Sequence, residues 1–111
     1  MTIREMIRAI QVEVRDSELL PERAAELLVK LGSLVGNCLE EIREADQEYA
    51  LVLLKYLESE DKANRAKIRA ETSPEYQRKR EARDTKELAV TLIGNLKYYL
   101  RSKEEEMRLT R

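Results

Sequence analysis

Residues 28–70 read LVKLGSLVGNCLEEIREADQEYALVLLKYLESEDKANRAKIRA, and an apolar or small residue returns there at almost every seam position of a coiled coil. Leu28, Val35, Ile42, Tyr49, Tyr56, Ala63 and Ala70 fall seven apart. Leu31, Cys38, Ala45, Val52, Ser59 and Ala66 sit three after each of the first six. No proline interrupts the run. A strict seven-residue repeat marks a long helix built to lie along other helices. Such an element suits a scaffold or a binding surface better than a catalytic pocket.

Upstream of this stretch, Thr2-Ile3-Arg4-Glu5 has the form of a capping box, which starts a helix over about 2–19. Its stripe is Ile3, Met6, Ile7, Ile10 and Val14. Pro21 fits the first turn of a second helix, expected over about 21–71. Gly32 and Gly36 interrupt it. They are read either as a close helix–helix approach or as a break near 32–37, since each glycine costs about 1 kcal/mol against alanine. Downstream, Glu71-Thr72-Ser73-Pro74-Glu75 is the clearest boundary: Ser73 can cap, and Pro74 suits a first helical position. A return helix over about 74–109 carries Leu88, Leu92, Ile93, Leu96, Tyr99, Leu100 and Met107 as its stripe. Folding about 72–74 sets Leu92 opposite Lys55 and Leu100 opposite Gln47.

The expected fold is therefore all-α. It is a single helical domain with a short N-terminal helix and a long antiparallel, coiled-coil-like hairpin turning at Thr72–Pro74. Apolar residues make up 42% and charged residues 39%, with no Trp, no Phe, three Gly and two Pro, the profile of long amphipathic helices. An elongated hairpin of 111 residues buries little surface in itself, so a homo-oligomer is expected. Cys38 is the only cysteine, which excludes an internal disulfide and a cysteine metal cluster. The N-terminus lacks a long apolar core, and the cluster Ala50–Leu54 is too short to span a bilayer. A cytoplasmic location without membrane association is expected.

Catalysis finds little support in the composition. The chain has no His, so imidazole acid–base chemistry and the usual zinc sites are absent, and no glycine-rich phosphate loop occurs. No enzyme activity and no cofactor are expected. Glu40-Glu41-Ile42-Arg43-Glu44 followed by Glu58-Ser59-Glu60-Asp61 does match the carboxylate spacing of MazG-type nucleotide pyrophosphohydrolases. That family binds magnesium with two adjacent helices. Here both motifs fall on one helix, with Glu41 and Glu58 ~25 Å apart, too far to share an ion.

Charge is unevenly distributed. Residues 1–60 hold 7 Lys or Arg and 13 Asp or Glu, whereas residues 61–111 hold 14 and 9. Either the second half offers a basic surface to nucleic acid, or the two halves attract one another. The basic residues cluster about the expected turn. Lys62, Arg65, Lys67 and Arg69 approach it, Arg78, Lys79, Arg80, Arg83 and Lys86 leave it, and Tyr76 lies among them. Cations at this density neutralise phosphates, and a tyrosine stacks on an unpaired base.

The C-terminal stretch Asn95-Leu96-Lys97-Tyr98-Tyr99-Leu100-Arg101-Ser102-Lys103-Glu104-Glu105-Glu106-Met107-Arg108-Leu109-Thr110-Arg111 resembles the tail of small helical proteins of phages and prophages. Glu48-Tyr49 and the Thr-Ser-Pro-Glu-Tyr turn at 72–76 look similar to that group as well. Among proteins of that kind, the architecture resembles UvsY-type recombination mediators, oligomeric helical proteins that bind single-stranded DNA and help load a recombinase. The resemblance implies a basic hairpin surface on DNA, with Lys62, Arg65 and Lys67 closest in character, and a recombination or replication protein as partner. The leading expectation is thus a phage-type accessory protein that binds single-stranded DNA. The alternative is a non-enzymatic interaction or assembly module acting through its coiled-coil surface, and a MazG-like hydrolase stands third.

Overall fold

The computed structural model of the chain describes residues 1–60 and 62–109; Asp61, Thr110 and Arg111 lie outside the described residues. Regular structure among the described residues is entirely helical: α1 (Ile3–Asp16), α2 (Pro21–Ser59), α3 (Ala63–Glu71) and α4 (Pro74–Leu109). No helix is long and apolar enough to cross a membrane. The chain divides into two compact units, Met1–Asn37 with Thr85–Arg111, and Cys38–Asp84.

In the first unit, Thr2 caps α1 as expected, its hydroxyl accepting from the Glu5 amide at 3.1 Å. The helix ends at Asp16, three residues short of the expected boundary, and Pro21 opens α2. Ile7 and Ile10 of α1 are buried beside the core supplied by Ala24, Leu27, Leu31 and Leu34 of α2 and by Ala89, Leu92 and Leu96 of α4. Arg23 donates to both oxygens of Glu13, at 2.6 and 2.9 Å, and so ties α2 to α1. These hydrogen bonds hold the Glu13 carboxyl below the usual carboxylate range. The stabilisation is present above the unfolded carboxylate's pKa and is lost as pH falls through the folded value. The Tyr99 hydroxyl donates to the Leu19 carbonyl and fastens α4 to the α1–α2 link. Met107, placed in the apolar stripe by its spacing, is instead exposed.

Gly32 and Gly36 do not break α2, which is continuous from Pro21 to Ser59. Nothing lies within 4 Å of where a side chain at either would begin, so no close approach inside the chain uses them. The interruption falls later. α2 stops at Ser59, where the expected helix continued to 71, and α3 begins at Ala63. Glu58 and Glu60 explain this in part: their charges oppose the negative end of the helix dipole, and no basic residue stands in the last turn of α2. Ser59 also competes for backbone hydrogen bonds. The Glu60 amide and the Ser59 hydroxyl both donate to the Tyr56 carbonyl, at 3.0 and 3.3 Å, closing the helix end.

This break moves the reversal of the hairpin. In the second unit the Tyr49 and Tyr76 rings lie 5.3 Å apart, and Arg83 reaches Asp46 at 3.0 Å. α2 and α4 therefore pack antiparallel about the α2–α3 link. A fold about 72–74 would have set Tyr76 beside Glu71. The Ser73-Pro74 boundary joins two helices without reversing them. Thr72 and Ser73 amides donate to Arg69 and Ala70 carbonyls, at 3.2 and 3.1 Å, as a tightened last turn, and the Ser73 hydroxyl accepts from the Tyr76 amide at 3.2 Å. Ser73 is itself buried, and its hydroxyl donates to the Ala70 carbonyl at 2.5 Å. α3 packs through Ala66 and Ala70, both fully buried, while Ala63 and Ser59, seam positions in the repeat, are exposed. Cys38 is a buried thiol; burial, then Glu41, pushes its pKa up.

Candidate nucleic-acid interface

Nine of the ten residues expected to meet DNA separate into three sets, and Lys86 stands apart from them. Arg69, Arg78 and Arg83 are engaged in ion pairs of the second unit. Arg69 meets Glu60 at 2.9 Å, Arg78 meets Glu48 at 2.5 Å with Glu44 at 3.9 Å, and Arg83 meets Asp46. Hydrogen bonding to Glu48 and the charges of Glu48, Glu44 and Glu41 hold the Arg78 guanidinium more firmly protonated than usual. The acidic face of α2 thus takes up part of the basic charge of α4, and the Glu44, Asp46 and Glu48 partners escaped the sequence reading. Their signal was the opposite charge of the two halves. Which glutamate meets which arginine depended on the register, and the register depended on the break after Ser59.

Tyr76 and Lys79 form the second set. Tyr76 is half-buried against the Tyr49 ring, at an interplanar angle of 47°, and the Lys79 ammonium lies 4.5 Å from the centre of the same Tyr49 ring. Burial, then Glu71 and Tyr76, pushes the Tyr49 phenol above its ordinary range. Tyr49, Tyr76 and Lys79 form a packed aromatic–cation group worth about 0.5–1.5 kcal/mol per favourable ring pair. Tyr76 thus packs one side against Tyr49 and keeps part of its surface exposed.

The third set stays open. Lys62, Arg65, Lys67 and Arg80 are exposed, and their side chains make no hydrogen bond or ion pair within the described residues. Three of these four stand on α3 or at its cap. From Lys62 to Ala70 the chain reads Lys-Ala-Asn-Arg-Ala-Lys-Ile-Arg-Ala, four cations without one acid. At ~100° per residue, Arg65 and Lys67 flank the buried line of Ala66 and Ala70 on opposite sides, with Asn64 and Ile68 outermost between them. α3 owes this exposed surface to its alanines, which let one face sit close to its neighbours while the long side chains project away. Lys86 belongs to the first unit.

The acidic motif shared with MazG-type enzymes meets no such geometry. α2 runs unbroken from Glu40 through Glu58, so Glu41 and Glu58 stand on one helix; Glu60 follows its end, and Asp61 lies outside the described residues. Among the described residues no group of three or more metal-ligating side chains is poised to hold an ion. No family model, curated protein or solved structure matches this chain.

Proposed function

We propose that this chain is a non-enzymatic accessory protein of phage-type DNA recombination or replication. It binds single-stranded DNA without sequence preference and works as a homo-oligomer. The observation that carries this reading is the surface of α3 and its cap, where Lys62, Arg65 and Lys67 are exposed and their side chains make no ion pair among the described residues. Affinity for a nucleic-acid backbone grows with each phosphate neutralised, and repetition of a short cationic helix in an oligomer multiplies those contacts. Arg80 adds a further cation on α4.

Fluorescence anisotropy of a labelled single strand, titrated at low and near-physiological salt, tests this. Binding that weakens steeply with salt is expected. The triple variant Lys62→Glu, Arg65→Glu and Lys67→Glu is expected to lose binding while keeping its helical signal. A wild-type protein that fails to bind at low salt overturns the reading.

A specific observation favours a second reading, an assembly module. Leu51, Leu54 and Leu57 of α2 are 68%, 52% and 43% exposed, and Ile68 of α3 is 63% exposed. Three residues apart on a helix, the leucines share an arc of ~120°. Under this reading, Leu51→Lys with Leu54→Lys lowers the sedimentation mass of the protein and leaves DNA binding no better than that of an unrelated helical control.

A further inference from the structure

Tyr56 lines a cleft together with Lys55 and Arg69. Within the second unit, this cleft of about 360 Å³ lies between the last turns of α2 and the α3–α4 junction. Val52, Tyr56 and Pro74 form its apolar wall, and Lys55, Arg69 and Thr72 supply polar groups. This size falls at the lower end of the range for small-molecule sites, ~300–1,000 Å³. Tyr56 is half-buried, whereas Lys55 is exposed and has no partner within the described residues. Arg69 spends one guanidinium nitrogen on Glu60 and is otherwise 63% exposed, which leaves donors for a second acceptor. Glu75 also lines the cleft, so the two cations leave it a net charge of +1.

An aromatic wall beside cations is the combination by which proteins hold an unpaired nucleotide: the ring stacks on the base, and the cations meet its phosphates. We propose that this cleft seats one unpaired nucleobase of a bound single strand. Tyr56 is the stacking partner, and Lys55 and Arg69 contact the flanking phosphates. The seat shares Arg69 with α3, whose Lys62, Arg65 and Lys67 carry the neighbouring backbone. This inference rests on the single-stranded DNA reading above and adds the residue that meets the base.

The chain contains no tryptophan, so Tyr56→Trp introduces a single emission reporter at the wall of the cleft. Titration of that variant with oligo(dT) is expected to quench its emission in step with the anisotropy of the labelled strand. In the same assay Tyr56→Phe, which keeps the ring, should bind as the wild type does. Tyr56→Leu should bind ~5-fold or more weakly, since stacking on one base contributes about 1–3 kcal/mol. Lys55→Glu should weaken binding and flatten its salt dependence. If the strand binds but the emission of the Tyr56→Trp variant does not change and Tyr56→Leu binds normally, the base seat is wrong while phosphate binding by α3 stands. If the wild-type protein binds no strand even at low salt, both fall. Should Tyr56→Leu lose its helical signal, the quenching of the Tyr56→Trp variant alone decides.

Discussion

The two units of this chain are held together by different physics. The first is cored by large aliphatic side chains, with Ile7, Leu27, Leu31 and Leu96 almost wholly withdrawn from water. The second relies on smaller or amphipathic groups: Ala45, Ala66 and Ala70 at its closest packing, the Tyr49–Tyr76 pair, and ion pairs between the acidic face of α2 and the arginines of α4. Burial of aliphatic area contributes about 25 cal/mol per Å² and is not screened by salt. Exposed ion pairs contribute about 0–1 kcal/mol each and are screened. The unit that carries the open cations is thus the one with the thinner apolar core. This unit exposes both long charged side chains and the large apolar residues Leu51, Leu54, Leu57 and Ile68.

The largest effect that would sharpen this contrast comes from Leu31→Ala. Truncation at a fully buried leucine is expected to cost ~2–5 kcal/mol, read as a lowered urea midpoint by far-UV circular dichroism. A loss below ~1 kcal/mol would mean that the first unit is not cored as described. Next, Ala66→Leu in the second unit should cost ~1–3 kcal/mol through overpacking. If it is instead neutral or stabilising, α3 does not sit close against its neighbours, and the contrast between the units fails. The smallest effect belongs to Arg78→Ala. The Arg78–Glu48 pair is about half-exposed on both sides, so its loss should cost less than ~1 kcal/mol at low ionic strength. That difference from wild type should vanish near ~1 M salt, where the screening length is ~3 Å. A persistent, salt-independent loss would show that Arg78 acts by packing and not by charge.

Much of this architecture was legible along the chain. The Thr2 cap, the Pro21 start, the Ser73 cap and the all-helical character follow from local chemistry, which acts between residues three or four apart. The heptad marks the buried side of α2 through Leu31, Cys38 and Ala45, although its companion line is Leu27 and Leu34, one residue before Leu28 and Val35. That shift reflects the 3.6-residue turn of a straight helix, which drifts against a strict seven-residue repeat. The break after Ser59 had a visible signal in Glu58-Ser59-Glu60-Asp61. The louder Ser-Pro boundary masked it, because proline punctuates a helix whether or not the chain turns back there.

By itself the sequence determined the all-helical character, the starts at Thr2, Pro21 and Pro74, and that the cations gather after residue 61, because these properties depend on composition and local spacing alone. Only the tertiary structure decided where the hairpin reverses, and with that every pairing across it. Moving the reversal from 72–74 to the link after Ser59 brought Arg78 and Arg83 to α2 carboxylates and Tyr76 to Tyr49. It left α3 with Lys62, Arg65 and Lys67 open to solvent. Whether a cation is free or neutralised is a property of its neighbours in space, and a helical period says nothing about which neighbours those are.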